Sequence, residues 1–167
     1  KEPSDMAGLK IRVMKSPLMV NTVNAMGGSA TPMAYGELYT ALKQGVLDGG
    51  ENAAGNVLND KFFEVSKYYS ITQHFRPPGV VVMSMKTWNS LSGKQQKAIS
   101  KAAASLQNYE INLTTKIVKQ AMKDLKKKGM IINEANVPAF AAAVKPVYKS
   151  YSDKYGSGSI DAILNTK

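Results

Sequence analysis

Cysteine is absent from the 167 residues. That excludes disulfide staples and thiol nucleophiles, and says little about compartment, because many exported proteins also lack cysteine. Histidine occurs once, at His74, which leaves too few nitrogen or sulfur donors for a zinc site. The Gly-x-Ser-x-Gly elbow of a serine hydrolase is missing too, so His74 reads as structural or turn-associated. Arginine occurs only at Arg12 and Arg76, so the net charge of +10, from 22 basic and 12 acidic residues, is almost wholly lysine. Surfaces that read nucleic acid favour the arginine fork, and this charge pattern argues against such a partner. No stretch reaches the roughly 18 uninterrupted apolar residues that suggest a membrane span. The chain opens on Lys1-Glu2-Pro3, without an initiating Met or a basic-then-apolar leader, as expected of a processed form or a fragment.

What is present suits one ordinary domain or two small lobes, with 44% apolar and 20% charged residues. A short buried strand is predicted at Lys10 to Met14, with Leu9 and Met14 contributing to it. Ser16 as cap and Pro17 in the first turn then predict a helix to Met26, stopped by Gly27-Gly28. "SATPMA", Ser29 to Ala34, reads as a second strand, and "YGELYTALKQG" as a helix with Leu38, Ala41 and Leu42 on one face and Gly45 as terminator. Tyr35 and Tyr39, four apart, are expected to point one inward and one outward. "VLDGGENAAGN" begins as a third strand that breaks at Gly49-Gly50. This strand–helix alternation predicts an α/β layer with parallel strands.

A further strand precedes Pro77-Pro78-Gly79, and the run "VVVMSM", Val80 to Met85, predicts another, covered on both faces. Ser92 and Gln95 match a capping box, and apolar positions from Ile99 to Leu125 recur at helical spacing without strict heptads. A helix from Gly93 to about Lys128 would run about 50 Å, longer than a small domain is wide. It therefore crosses between lobes, pairs as a coiled coil or kinks, and the lack of strict heptads favours the lobe crossing. The alternative function is a structural or interaction module oligomerising through this helix. "GMIIN" predicts a strand, Val137 to Gly156 a helix broken at Pro146, and Ser159 to Leu164 a last helix.

The chemically informative residues are Arg12 on the first strand, Tyr35 after the second, and Glu51 with Asn52 after the third. Strand ends of a parallel sheet gather at one edge, so positions distant in sequence can meet around one anion. An arginine fork offers a carboxylate two parallel hydrogen bonds, an asparagine amide adds a donor, and an aromatic wall excludes water. Two arrangements are open at this point: Arg12 pairs internally with Glu51 or Asp48, or it faces an external anion. No metal or organic cofactor is required for such a clamp.

"LKIRVMKSP", "ATPMAYGELYTALKQGVLDGGENAAGN" and "KFFEVSKYYSITQHF" resemble, in order and spacing, segments of the DctP-type solute-binding proteins of TRAP (tripartite ATP-independent periplasmic) transporters. The likeness runs from about Gly8 to Lys128. It implies an α/β, periplasmic-binding-protein-like (type II) fold: second lobe, lobe-crossing strands and long helix. Under it, residues 1–72 form the ligand-binding lobe, 73–92 a crossing strand region, 93–128 the lobe-spanning helix, and 129–167 a strand and helices packing back on the lobes. It implies that Arg12 bridges the carboxylate of an organic acid, that Asn52 beside Glu51 assists, that Tyr35 lines the site, and that Phe75 contributes at a position that varies with ligand. The partners implied are a small organic-acid ligand and the TRAP permease membrane subunits. The location implied is the periplasm, the signal peptide having been removed, and no enzymatic activity is implied. Gly50 and Ala53 stand where such proteins often carry Gln and Pro. Such proteins also begin with another α/β lobe before the "GLKIRV" strand. Its absence here would expose edges that invite dimerisation or strand exchange.

Overall fold

The computed structural model describes residues 1–166, so only the last position of the 129–167 segment lies outside the described residues. Strands β1 (Lys10–Val13), β2 (Ser29–Pro32) and β3 (Gly49–Gly50) form one parallel sheet in the order β2-β1-β3. Helices α1 (Pro17–Ala25) and α2 (Leu38–Lys43) make the crossovers, as the alternation predicts. Helix α3 (Ala54–Asn59) leads to β4 (Tyr68–Ile71), which pairs in parallel with β5 (Ile131–Glu134) as a second, two-stranded sheet. Between β4 and β5 come the short α4 (Met85–Ser90) and the long α5 (Gly93–Lys127). Helices α6 (Val137–Ala143), α7 (Lys145–Tyr155) and α8 (Gly158–Leu164) close the chain, with Pro146 in the first turn of α7.

Sequence chemistry accounts for most of these boundaries. Ser92 and Gln95 form the reciprocal capping box that starts α5. Gly45, just past α2, adopts φ +69, the left-handed conformation that ends a helix without a Cβ penalty. The main core joins Leu38, Ala41 and Leu47 to Val57, Phe62, Leu125 and their neighbours, so the last turns of α5 are clamped to the sheet-bearing body. A second cluster, Val13, Met19 and Val23, seals α1 onto β1. A third, Met26, Phe140 and Val144, attaches α6.

Five expectations need correction. Leu9 and Met14 are 38% and 40% exposed, because β1 spans only Lys10–Val13 and both flank the part covered by α1. Ser16 holds the N-cap position of α1, but its side chain makes no capping bond; Pro17 fixes the first turn instead. Gly49-Gly50 does not break a strand but forms it. A Cβ on Gly49 would lie 3.1 Å from the Ile11 side chain, and one on Gly50 3.1 Å from Leu38 Cδ1, so glycine lets β3 approach both without displacing them. Tyr35 and Tyr39 do not diverge, since both rings meet Phe62, with centroids at 6.0 and 6.3 Å. Finally, "VVVMSM" forms no strand. Val80, Val81 and Val82 are 79%, 88% and 84% exposed, because no described strand lies beside them to complete a ladder.

Candidate anion-binding site

Pairing of β1 with both neighbours sets Arg12 opposite Thr31 on β2 and Gly50 on β3. Arg12 is 5% exposed. Its Nε donates to the Met33 carbonyl at 3.0 Å, and its guanidinium carbon lies 5.5 Å from the centre of the Tyr35 ring. Among the described residues no carboxylate comes within salt-bridge distance of it. The Asp48 carboxylate is occupied elsewhere, accepting from the Lys10 backbone N–H at 2.8 Å. The internal bridge to Asp48 or Glu51 is therefore not formed. A buried guanidinium is costly to desolvate, and one neutral hydrogen bond with a ring face offsets only part of that cost. Its two Nη nitrogens have no protein partner, and neither is sealed from solvent. The fork is left available to an anion from outside.

Tyr35 follows β2 in a 3-10 turn, and Asn52 follows β3, so adjacent strand ends carry both toward Arg12. The Asn52 amide donates to the Tyr35 hydroxyl at 3.0 Å, and that hydroxyl donates to Asp60. Asn52 Oδ1 accepts from Ala53 N–H at 2.9 Å and from the Asn56 amide at 2.7 Å, which fixes the amide's orientation. The Tyr69 hydroxyl donates to the Asn52 carbonyl at 3.1 Å. Burial raises the Tyr35 pKa and the bond to Asp60 adds to it, while the Asn52 bond opposes; the phenol stays protonated. Burial also holds the Glu51 carboxyl above its ordinary range, with the Arg12 charge pulling it partway back.

The structure thus brings Arg12, Tyr35 and Asn52 together, with Glu51 within electrostatic reach. Phe75 is not gathered in. It is 36% exposed on the loop between β4 and α4, and among the described residues no ring contact or shared cavity ties it to the other three. His74 fits the turn-associated reading: Nδ1 lies 2.7 Å from the Thr72 hydroxyl, and burial lowers its pKa. A cavity of about 170 Å³ between β3 and the segment entering β4 is walled by Glu51, Asn52 and Tyr69 but not by Arg12. Residue patterns did not reveal Asp60, Met33 and Tyr69 as supports. No local signal marks them, because Asp60 acts on Tyr35 across 25 residues and Met33 acts through its backbone.

A family model described as bacterial extracellular solute-binding protein, family 7 (DctP), matches residues 1–154. A solute-binding protein of Chromohalobacter salexigens is 37% identical over 154 residues, covering 92% of this chain and 46% of that one. A TRAP periplasmic solute-binding protein from Roseobacter denitrificans, solved with bound β-D-glucuronate, superposes with a TM-score of 0.90 at 32% identity, covering 99% of this chain and 56% of that one. Another from a Sulfitobacter species, with bound β-D-galacturonate, gives 0.85 at 37% identity, covering 93% and 52%. The chain spans about half the length of the curated relatives it matches.

Proposed function

The chain belongs to the bacterial extracellular solute-binding proteins of family 7, the DctP family of TRAP solute-binding proteins, and from that premise we propose that it holds the carboxylate of a small sugar acid in the periplasm for a TRAP permease. The fold it shares with these relatives is the mixed α/β, type II binding-protein architecture. In this reading the Arg12 fork takes both carboxylate oxygens, the Asn52 amide adds a donor, and the Tyr35 ring walls the ion pair from water. Glu51 beside them accepts from ligand hydroxyls, and Phe75, which stands apart on its own loop, is the contact that varies with the ligand. Residues 1–72 act as the ligand-binding lobe, 73–92 as the crossing region, 93–128 as the lobe-spanning helix and 129–167 as the packing tail. The observation that carries the reading is Arg12 itself: buried, unpaired by any described acid, with both Nη nitrogens open. The uronate ligands of the two solved relatives support the choice of a hydroxylated monoacid.

Calorimetry on the full-length protein with D-glucuronate and D-galacturonate tests it. Arg12→Lys keeps the charge and loses the fork, and is expected to weaken binding by about 3 kcal/mol, roughly 100-fold. Unchanged affinity in a variant with native circular dichroism overturns the reading.

A second reading is favoured by the exposed apolar positions Val80 to Val82 and, on α5, Ile111, Ile117 and Val118. Such surface invites coverage by a second copy or another polypeptide, and then the long helix is an association surface.

A further inference from the structure

Helix α5 segregates its charge. Eight of the chain's 22 basic residues lie in it: Lys94, Lys97, Lys101, Lys116, Lys119, Lys123, Lys126 and Lys127. At 3.6 residues per turn all eight project within one arc of about 120°. The remaining positions of that arc, from Ala98 through Ser105, Asn108, Tyr109 and Asn112 to Thr115, include no acid. The two acids of the helix, Glu110 and Asp124, point to the other side, as do the buried Ala121 and Leu125. All eight lysines are exposed. Among the described residues only Lys127 has a carboxylate partner, Asp124 at 3.6 Å.

Ordinary solvent-facing helices interleave acids with bases, because like charges three or four residues apart weaken the helix. Here Lys94, Lys97 and Lys101 repel one another at those spacings, and so do Lys116, Lys119, Lys123 and Lys127. An anionic surface would offset that repulsion. Defined anionic partners such as nucleic acid favour the arginine fork, whereas ammonium groups act as point charges that suit a diffuse field. The stripe runs about 50 Å along one face of the helix, and Tyr109 is its only large apolar group, so it suits lying on a surface and not inserting into one.

We propose that the lysine face of α5 adsorbs the protein onto an anionic phospholipid bilayer. The lipids gather beneath two lysine clusters, separated by the neutral Ser105, Asn108 and Asn112. The interaction is electrostatic and is screened by salt.

Co-sedimentation of the full-length protein with vesicles of equal parts phosphatidylglycerol and phosphatidylcholine, against pure phosphatidylcholine, tests this. The parent is expected to bind only the anionic vesicles, and less as salt rises from about 0.01 to about 0.15 M. A variant with Lys116→Gln, Lys119→Gln, Lys123→Gln and Lys127→Gln is expected to partition at least about tenfold more weakly. A charge-matched variant with Lys15→Gln, Lys43→Gln, Lys86→Gln and Lys145→Gln is expected to stay near the parent, with native helicity checked for both by circular dichroism. Equal loss in the two variants would show that net charge, not the stripe, drives binding, and would overturn the proposal. So would a parent that ignores anionic vesicles, leaving an acidic protein face as the partner of the stripe.

Discussion

The Asn52 amide donates to the Tyr35 hydroxyl at 3.0 Å across 17 residues of sequence. The hydroxyl passes the bond on to Asp60, so one phenol ties the ends of two strands to the loop after α3. Under the proposed function, that hydrogen-bonded chain holds a donor and an aromatic wall beside Arg12 ahead of the carboxylate, which lowers the ordering cost of capture.

Tyr35→Phe removes both of those bonds and keeps the ring over Arg12. Tyr35 is 41% exposed, so water replaces part of what is lost, and the expected cost in stability is about 1 kcal/mol. Urea denaturation measures it. A variant as stable as the parent would mean that the Asn52–Tyr35–Asp60 chain holds nothing in place.

Gly50→Ala tests why a strand consists of two glycines. The new Cβ would sit 3.1 and 3.3 Å from the two methyl carbons of Leu38, a side chain only 2% exposed, so Leu38 must give way by a few tenths of an ångström. Overpacking of this kind is expected to destabilise by about 1–3 kcal/mol and to displace Glu51 and Asn52, which follow directly. Thermal unfolding followed by calorimetry is the check, and a neutral substitution would show that β3 and α2 are not in tight contact.

Glu51 supplies a pH test. Burial holds its folded-state pKa above the ordinary value of 4.5, so the folded state binds the proton more tightly than the unfolded chain. The stability from that proton is complete below about pH 4.5 and is lost as pH rises through the folded pKa. Glu51→Gln removes the burial penalty on the charge, so its melting temperature should exceed the parent's at pH 7 and match it below the unfolded pKa. Melting curves across that range decide, and a variant less stable at pH 7 would mean that attraction to Arg12 outweighs burial.

Features governed by neighbours in sequence were legible from the residues. The Ser92–Gln95 capping box, the Gly45 terminator and the parallel strand–helix alternation all rest on contacts a few positions apart, and all are found. Arg12 stood out for the same reason, a charge in a strand with no acid beside it. The Val80–Val82 run shows the converse. Its composition suits a buried strand, yet a strand exists only where another lies alongside, and composition cannot supply that neighbour.

By itself, then, the sequence determined the exclusions that follow from missing cysteine and scarce arginine and histidine. It also determined the strand–helix alternation of the first sheet, the start of the long helix and the candidates at the strand ends, because propensity, capping and residue chemistry act locally. Tertiary structure alone decided that Gly49-Gly50 is a strand, that Asp48 turns to the Lys10 backbone and leaves Arg12 unpaired, and that Asp60 orients Tyr35. Those outcomes depend on sheet register and on which distant groups burial forces together, and neither is written in any short stretch of the chain.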